Sequence, residues 1–440
     1  MRPPDNAGAM KNNTTTKSTR RSLPVFAQIV QLIPPGMIEK LAKTCHIKAR
    51  VFSYAHQVYS LLLGQLMGAF SLNEICDAMA AHCKKLFRVR RLLPARRNTF
   101  SNANRTRDPS VAEQLFWEMY AHLRTMAPTL FHAKHKGRLS RFRLRRIVAV
   151  DSTVLQLTHK AIDWAKHRRR KAAAKLHMVC DVASRLPVFA CLTPAKVADC
   201  RKIMVVCAHL VAGDIAIFDR AYNDFASLAE LDRRDVFFVV REKDRMLCKV
   251  VRHVARRKLP KNVLSDETIR LTGVRTAKSY PATMRRIRAR VTVDGKEREM
   301  VFLTNNSEWS AATVAELYRA RWQVELLFKE LKQTLRLKDF YGENEKAMAW
   351  QVWTAMLTHL LLRYLAYCSS WKGSHTRFSG VVRAALWERA DLMGLLKTYG
   401  TAQPPPKTGW DGNTPCLPGF ERYFAIPVFN YKFNWFNAHP

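Results

Sequence analysis

Tyr318, Arg321, Glu325 and Lys332 have the types and spacing of a site that handles phosphate. They lie in the run Tyr-Arg-Ala-Arg-Trp-Gln-Val-Glu-Leu-Leu-Phe-Lys-Glu-Leu-Lys, separated by 3, 4 and 7 positions. On one helix they fall within a roughly 60° arc. Leu317, Val324, Leu327, Phe328, Leu331 and Leu335 form the adjoining apolar face. A helix anchored on that face presents a carboxylate flanked by an aromatic hydroxyl and two cations.

One carboxylate does little alone, so partners are sought where strands end. Ile147-Val148-Ala149-Val150-Asp151 reads as a buried strand whose carboxylate emerges at its C-terminal end. Asp214-Ile215-Ala216-Ile217-Phe218-Asp219 repeats that pattern. Taken singly, each Asp reads more readily as a cap or turn former, and Glu325 as a surface partner of Lys329. Together, Asp151, Asp219 and Glu325 make a set of hard oxygen ligands suited to Mg²⁺. Phosphodiester chemistry uses such sets to hold two ions about 3.5–4 Å apart. None of the three has an imidazole or thiolate at helical spacing from it, which disfavours zinc there.

Composition points to a polyanionic partner. The 440 residues include 74 Lys and Arg against 35 Asp and Glu, a formal charge of +39. That excess favours nucleic acid. A membrane surface would call for a long basic amphipathic helix, and none is clear. Hydrophobic residues make up 48%, enough for two or three folded domains. Ten cysteines without a C-x-x-C suggest reduced thiols rather than a zinc module or disulfide framework. The first 22 residues have no apolar signal region, and the apolar stretch from Trp350 to Tyr367 is interrupted by His359 and Arg363. It reads as a buried helix, not a membrane span. The expected setting is a cytosolic compartment.

The elements that must position these residues are α/β in class. Residues 1–22 are expected to be a flexible basic arm and residues 23–128 a helical DNA-binding domain. Ser71 caps a helix with Glu74 three residues on. Arg88 to Arg91 and Arg96 to Asn104 suggest a helix-turn-helix-like unit or the solvated face of a bundle. Residues 129–234 and 305–370 would be the two parts of the core, the second carrying the Glu325 helix. Between them, residues 235–304 read as a β-rich insertion, with a hairpin at Asp294-Gly295. Residues 371–440 are a C-terminal helical region and tail.

The helix signature Y-x2-R-x3-E-x6-K, met in full by Tyr318, Arg321, Glu325 and Lys332, resembles that of DDE transposases of bacterial insertion sequences, specifically the insertion sequence four family. Asp151-Ser152-Thr153, Trp164-Ala165-Lys166 through Lys175-Leu176-His177, Asp219-Arg220-Ala221-Tyr222 and Leu303-Thr304-Asn305 are similar to other segments of that family. The resemblance covers most of residues 24–398. It implies an RNase H-like catalytic core with a β-rich insertion, preceded by an all-α N-terminal domain. It implies Asp151, Asp219 and Glu325 as catalytic metal ligands for Mg²⁺, two ions, with Mn²⁺ able to substitute. The reaction implied is cleavage of double-stranded DNA at the element's terminal inverted repeats, then strand transfer into target DNA by a homodimer on paired ends. Tyr318, Arg321 and Lys332 would grip phosphates, with Arg220, Lys175 and His177 as further DNA contacts. His177 reads equally as a packed core histidine, and Arg168 to Lys171 as a solvated loop. Some relatives stack an insertion tryptophan on a flipped base. Residues 235–304 hold none and offer Phe237, Phe238, Tyr280 or Phe302. Arg286, Arg288 and Arg290 share one side of an insertion strand. Two other readings stand beside this one: a catalytically silent DNA-binding relic or repressor, and an RNase H-type nuclease.

Overall fold

Alternation along three neighbouring strands builds the centre of the molecule. In this computed structural model the described residues are 23–400 except 44, 46–50, 136, 157–172, 255–260, 294–295, 336, 338–339 and 343. The basic arm, Trp164 to Lys166, Arg168 to Lys171, the Asp294-Gly295 turn and the tail from 401 therefore lie outside them.

The strands are β1 (Ile147–Gln156), β2 (Ala173–Asp181), β3 (Pro187–Pro194), β4 (Ile215–Phe218), β5 (Phe237–Arg241), β6 (Cys248–His253), β7 (Val263–Leu271), β8 (Met284–Val293) and β9 (Lys296–Thr304). They form one sheet in the order β3-β2-β1-β4-β5-β9-β8-β7-β6. β1, β2 and β3 pair antiparallel, while β1, β4 and β5 run parallel. This is the RNase H-like arrangement. β5 through β6 continue antiparallel. The expected boundary at 235 is thus misplaced: β5 pairs with β4 and is the fifth core strand. The added strands extend the same sheet rather than forming a separate one.

Side chains alternate between faces along each strand. Ile147 and Ala149 of β1, Ile215 and Ile217 of β4, and Val239 of β5 enter one hydrophobic core. Val148, Val150, Ala216, Phe218, Phe238 and Val240 enter the other. Ile203, Val206, Leu228 and Leu231 from the Ile203–Val206 and Phe225–Arg233 helices cover the second face. The first face carries the N-terminal helices, the Ala311–Arg319 and Trp322–Lys329 helices, and the 24-residue Glu345–Cys368 helix.

That long helix is buried along most of its length, as its apolar run requires. Among the described residues, no helix is long and apolar enough to cross a membrane. The cap at Ser71 is present: its Oγ accepts from the Glu74 N–H at 3.2 Å, and the Glu74 carboxylate accepts from Phe70 N–H at 2.8 Å. Between the Leu72–Ala81 and Arg97–Thr106 helices, Arg90 and Arg91 take positive φ. Arg90 is turned inward onto the Tyr59 hydroxyl at 2.7 Å, whereas Arg96 and Arg97 face solvent.

Candidate active site

The parallel register of β1 and β4 decides where the two aspartates meet. Val150 pairs with Phe218, so Asp151 and Asp219, the residue that follows each, stand side by side. Both follow the parity of Ile147, Ala149, Ile215 and Ile217 toward the face covered by the Glu325 helix. Asp151 is not at a strand end, as the sequence suggested. β1 runs on to Gln156 against β2, and Asp151 only follows the last residue paired with β4, Val150.

The expected single helix is broken into three pieces. The Ala311–Arg319 and Trp322–Lys329 helices meet at a tight turn, where Gln323 N–H donates to Ala320 and Val324 N–H to Arg321, both at 3.1 Å. These bonds span three residues, so the chain rotates faster there than in an α-helix. Beyond Lys329 the chain relaxes into a π-helical turn, Glu330–Thr334, where Leu335 N–H donates to Glu330 carbonyl at 3.3 Å. Lys332 sits in that turn.

Arg321 joins the carboxylates. Its Nη1 donates to Asp151 Oδ2 at 3.0 Å, and its Nη2 pairs with Glu325 Oε1. The Tyr318 hydroxyl lies 3.5 Å from Asp219 Oδ1. Asp151, Asp219 and Glu325, 174 positions apart at the extremes, are thereby brought into one cluster. Burial pushes the Asp151 carboxyl up to about 6; Arg321 and the Ser152 N–H pull the other way, while Asp219 and Glu325 add to the rise. Burial opposes the charge on Arg321, but Tyr318, Asp151 and Glu325 hold its proton above the usual range. Burial also raises Tyr318, with Arg321 opposing.

The remaining expected contacts divide. Lys332 Nζ donates to the Val154 carbonyl of β1 at 2.9 Å. Arg220 is exposed and 3.4 Å from Asp244. Lys175 and His177 turn inward, which corrects their reading as DNA contacts. His177 is fully buried, its Nε2 2.9 Å from Thr193 Oγ1, and burial lowers it to about 4. Lys175 Nζ lies 3.2 Å from Asp199. β2 points both side chains toward a carboxylate the sequence did not single out. Asp199 also accepts from Ser152 Oγ at 2.6 Å, and Ser152 N–H donates to Asp151 Oδ1 at 2.8 Å. No local spacing announces Asp199, because it sits in a short 3₁₀ turn.

Phe238, Tyr280 and Phe302 are core residues, and Phe237 packs against Trp309, so none is poised to stack on a base. Trp322, beside Arg321, is 54% exposed. Arg286 pairs with Glu267 at 2.7 Å and Arg288 with Glu299 at 3.1 Å, while Arg290 faces solvent.

Comparison with known proteins bears on this cluster. Residues 143–361, which enclose all three carboxylates and Lys332, match the family described as "Transposase DDE domain". A putative transposase, y4zB, of Sinorhizobium fredii is 32% identical over 61% of this chain and 73% of its own length. The chain belongs to the DDE transposase family. A probable transposase for insertion sequence element IS5377 of Geobacillus stearothermophilus is 28% identical over 49% of this chain and 55% of its own. A putative transposase for IS4SA of a Synechocystis species is 33% identical over 16% and 25%. These relatives agree with the insertion sequence four signature. Residues 21–89 of the transposase match a "Domain of unknown function (DUF4372)". Among solved structures, a piggyBac transposase synaptic complex with hairpin DNA is similar at a TM-score of 0.41 and 10% identity, over 93% of this chain and 84% of that one. That overlap adds nothing to the family assignment. The transposase is an enzyme that cleaves and transfers DNA, and its family uses divalent metal ions. The reading as a silent relic is not favoured.

Proposed function

We propose that Asp151, Asp219 and Glu325 hold two Mg²⁺ ions, with Mn²⁺ able to substitute, and that the transposase cuts its element's terminal repeats and joins them to target DNA. The observation that carries this is the β1–β4 register, which sets two aspartates side by side beneath the Glu325 helix. The donor set fits: three carboxylates offer hard oxygens. A buried acid already raised to about 6 by its surroundings is one a cation would bring back to the ionised form. When bound, such ions polarise phosphoryl oxygens and lower the pKa of water.

The chain's own residues do the rest. Arg321 neutralises two of the three carboxylates and so keeps like charges together. Released from either, its planar fork suits a phosphate. The Tyr318 hydroxyl orients Asp219. Asp199, through Ser152, fixes the backbone N–H that holds Asp151. An open groove lined by Lys134, Arg185, Arg319, Trp322, Arg363 and Lys372 offers the duplex a basic track, and Trp322 an aromatic face for a base. Residues 23–128 are read as a DNA-binding domain, and two copies act on paired ends at the bacterial nucleoid, both by likeness to the family.

The test mixes purified protein, DNA carrying the repeats that flank its own gene, and Mg²⁺. Nicked or cut ends are expected. Glu325→Gln should lower cleavage by more than about 10³-fold while leaving DNA binding mostly intact. Equal cutting by the Gln variant would overturn the assignment.

A further inference from the structure

Behind the Glu325 helix lies a second cluster that the transposition chemistry does not use. Glu330 in the π-helical turn, His359 in the long helix and His375, first residue of the next helix, each bring a ligand atom within 4.8 Å of the others. Glu330 Oε2 is 2.8 Å from His359 Nε2, and the two imidazole centroids are 5.2 Å apart. His359 is 1% exposed. His359 Nδ1 and His375 Nε2 are buried without a hydrogen-bond partner. Buried polar atoms normally find one, so two orphaned ring nitrogens beside a carboxylate ask for an explanation.

We propose that Glu330, His359 and His375 form a binding site for one Zn²⁺ ion, separate from the three-carboxylate cluster. Two imidazoles and a carboxylate are a zinc donor set. Zinc bonds of about 2.0–2.2 Å place tetrahedral donors about 3.3–3.6 Å apart, so the 2.8 Å Glu330–His359 contact would open by about 0.5 Å while the wider separations, up to 4.8 Å, close on the ion. Burial opposes ionisation of Glu330, but the hydrogen bond with His359, with Arg363 nearby, holds its carboxyl down to about 2. Burial, His359 and Arg363 hold His375 down to about 3, leaving it a neutral imidazole, while Glu330 opposes them. Arg363, the cation felt by both, donates through Nη2 to the Ser184 carbonyl at 3.1 Å. The ion would tie the turn that follows the Glu325 helix to the two helices after it. Its role is structural: it holds the register of the catalytic helix.

The experiment uses untagged full-length protein, stripped with a chelator, exposed to Zn²⁺ alone, dialysed and measured for metal. About one retained zinc per chain is expected. The double variant His359→Gln, His375→Gln should lose it, and the double variant Asp151→Asn, Glu325→Gln should keep it. Zn²⁺ should raise the thermal midpoint of the parent and of the carboxylate variant, not that of the histidine variant. Zinc held equally by the histidine variant, or lost with the carboxylates instead, overturns the site. Should the histidine variant not fold, Co²⁺ bound to the parent decides. Visible d–d bands without thiolate charge-transfer bands are expected; their absence, or thiolate bands, overturns the proposal.

Discussion

Asp151 is the residue on which the chemistry and the stability of the site pull apart. Its carboxyl is raised from 3.8 to about 6, chiefly by burial. A folded-state pKa above the unfolded value means that the folded state binds the proton more tightly. The stability tied to that proton is full below about pH 4 and is lost as pH rises through about 6. In metal-free buffer Asp151→Asn should flatten this slope and stabilise the protein at pH 7 to 8, by up to about 3 kcal/mol. The same variant should lose cleavage. Chemical denaturation at pH 4, 6 and 8 reads the slope; an unchanged slope in the Asn variant would contradict the burial argument. Divalent-ion affinity should likewise weaken as pH falls below about 6, because the proton competes for the ligand. At this scale the sequence is most informative where chemistry constrains residue type: Asp151, Asp219, Glu325, Tyr318 and Arg321 could be named from their neighbours. Asp199 could not, since its contacts with Ser152 and Lys175 come from folding 47 and 24 positions together. His177 was open to two readings, and only the pairing of β2 shows that its ring points inward.

Elements were legible as types, less so in their breaks. The apolar strand-Asp patterns gave β1 and β4, and the interrupted apolar run gave the long helix. The periodicity that implied one helix through residue 332 could not reveal its tight turn at Ala320 and Arg321 or its π turn. Both follow from polar partners on other elements: Arg321 is drawn to Asp151, and Glu330 to His359. The β-rich block was recognisable by alternation, but its fusion to the core sheet rests on the β5–β9 pairing. One buried pair ties two of the added strands to each other and to the chain before the next helix. Arg285 of β8 makes a two-pronged contact with Asp266 of β7, at 2.7 and 2.5 Å, and also bonds the Trp309 carbonyl just before the Ala311–Arg319 helix. Removing one partner strands a buried charge, which costs about 3–5 kcal/mol. Asp266→Ala should therefore lower stability by about that much and loosen β7 and β8 in hydrogen exchange. Exposed Arg290→Ala on the same strand should change stability by less than about 0.5 kcal/mol. Similar losses in the two variants would show that the Arg285 pair holds nothing together.

For the molecule as a whole, charge sets how it meets DNA. The 440 residues carry a formal charge of +39, and an open groove beside Trp322 is lined by Lys134, Arg185 and Arg319. Binding at such a surface releases condensed counterions, and log K falls with log salt by about 0.9 for each phosphate neutralised. Contact with six or more phosphates gives a slope on the order of −5, or about a 10³-fold loss of affinity between 50 and 200 mM salt. Fluorescence anisotropy with a labelled duplex reads this directly. Lys332→Ala removes a cation and should lower the slope by about 1. Glu325→Gln removes none and should leave it unchanged, although it abolishes cutting. The two variants thus separate electrostatic grip from catalysis on one helical segment. A flat salt response would mean that the excess of basic residues serves something other than the DNA backbone, whatever the carboxylates do.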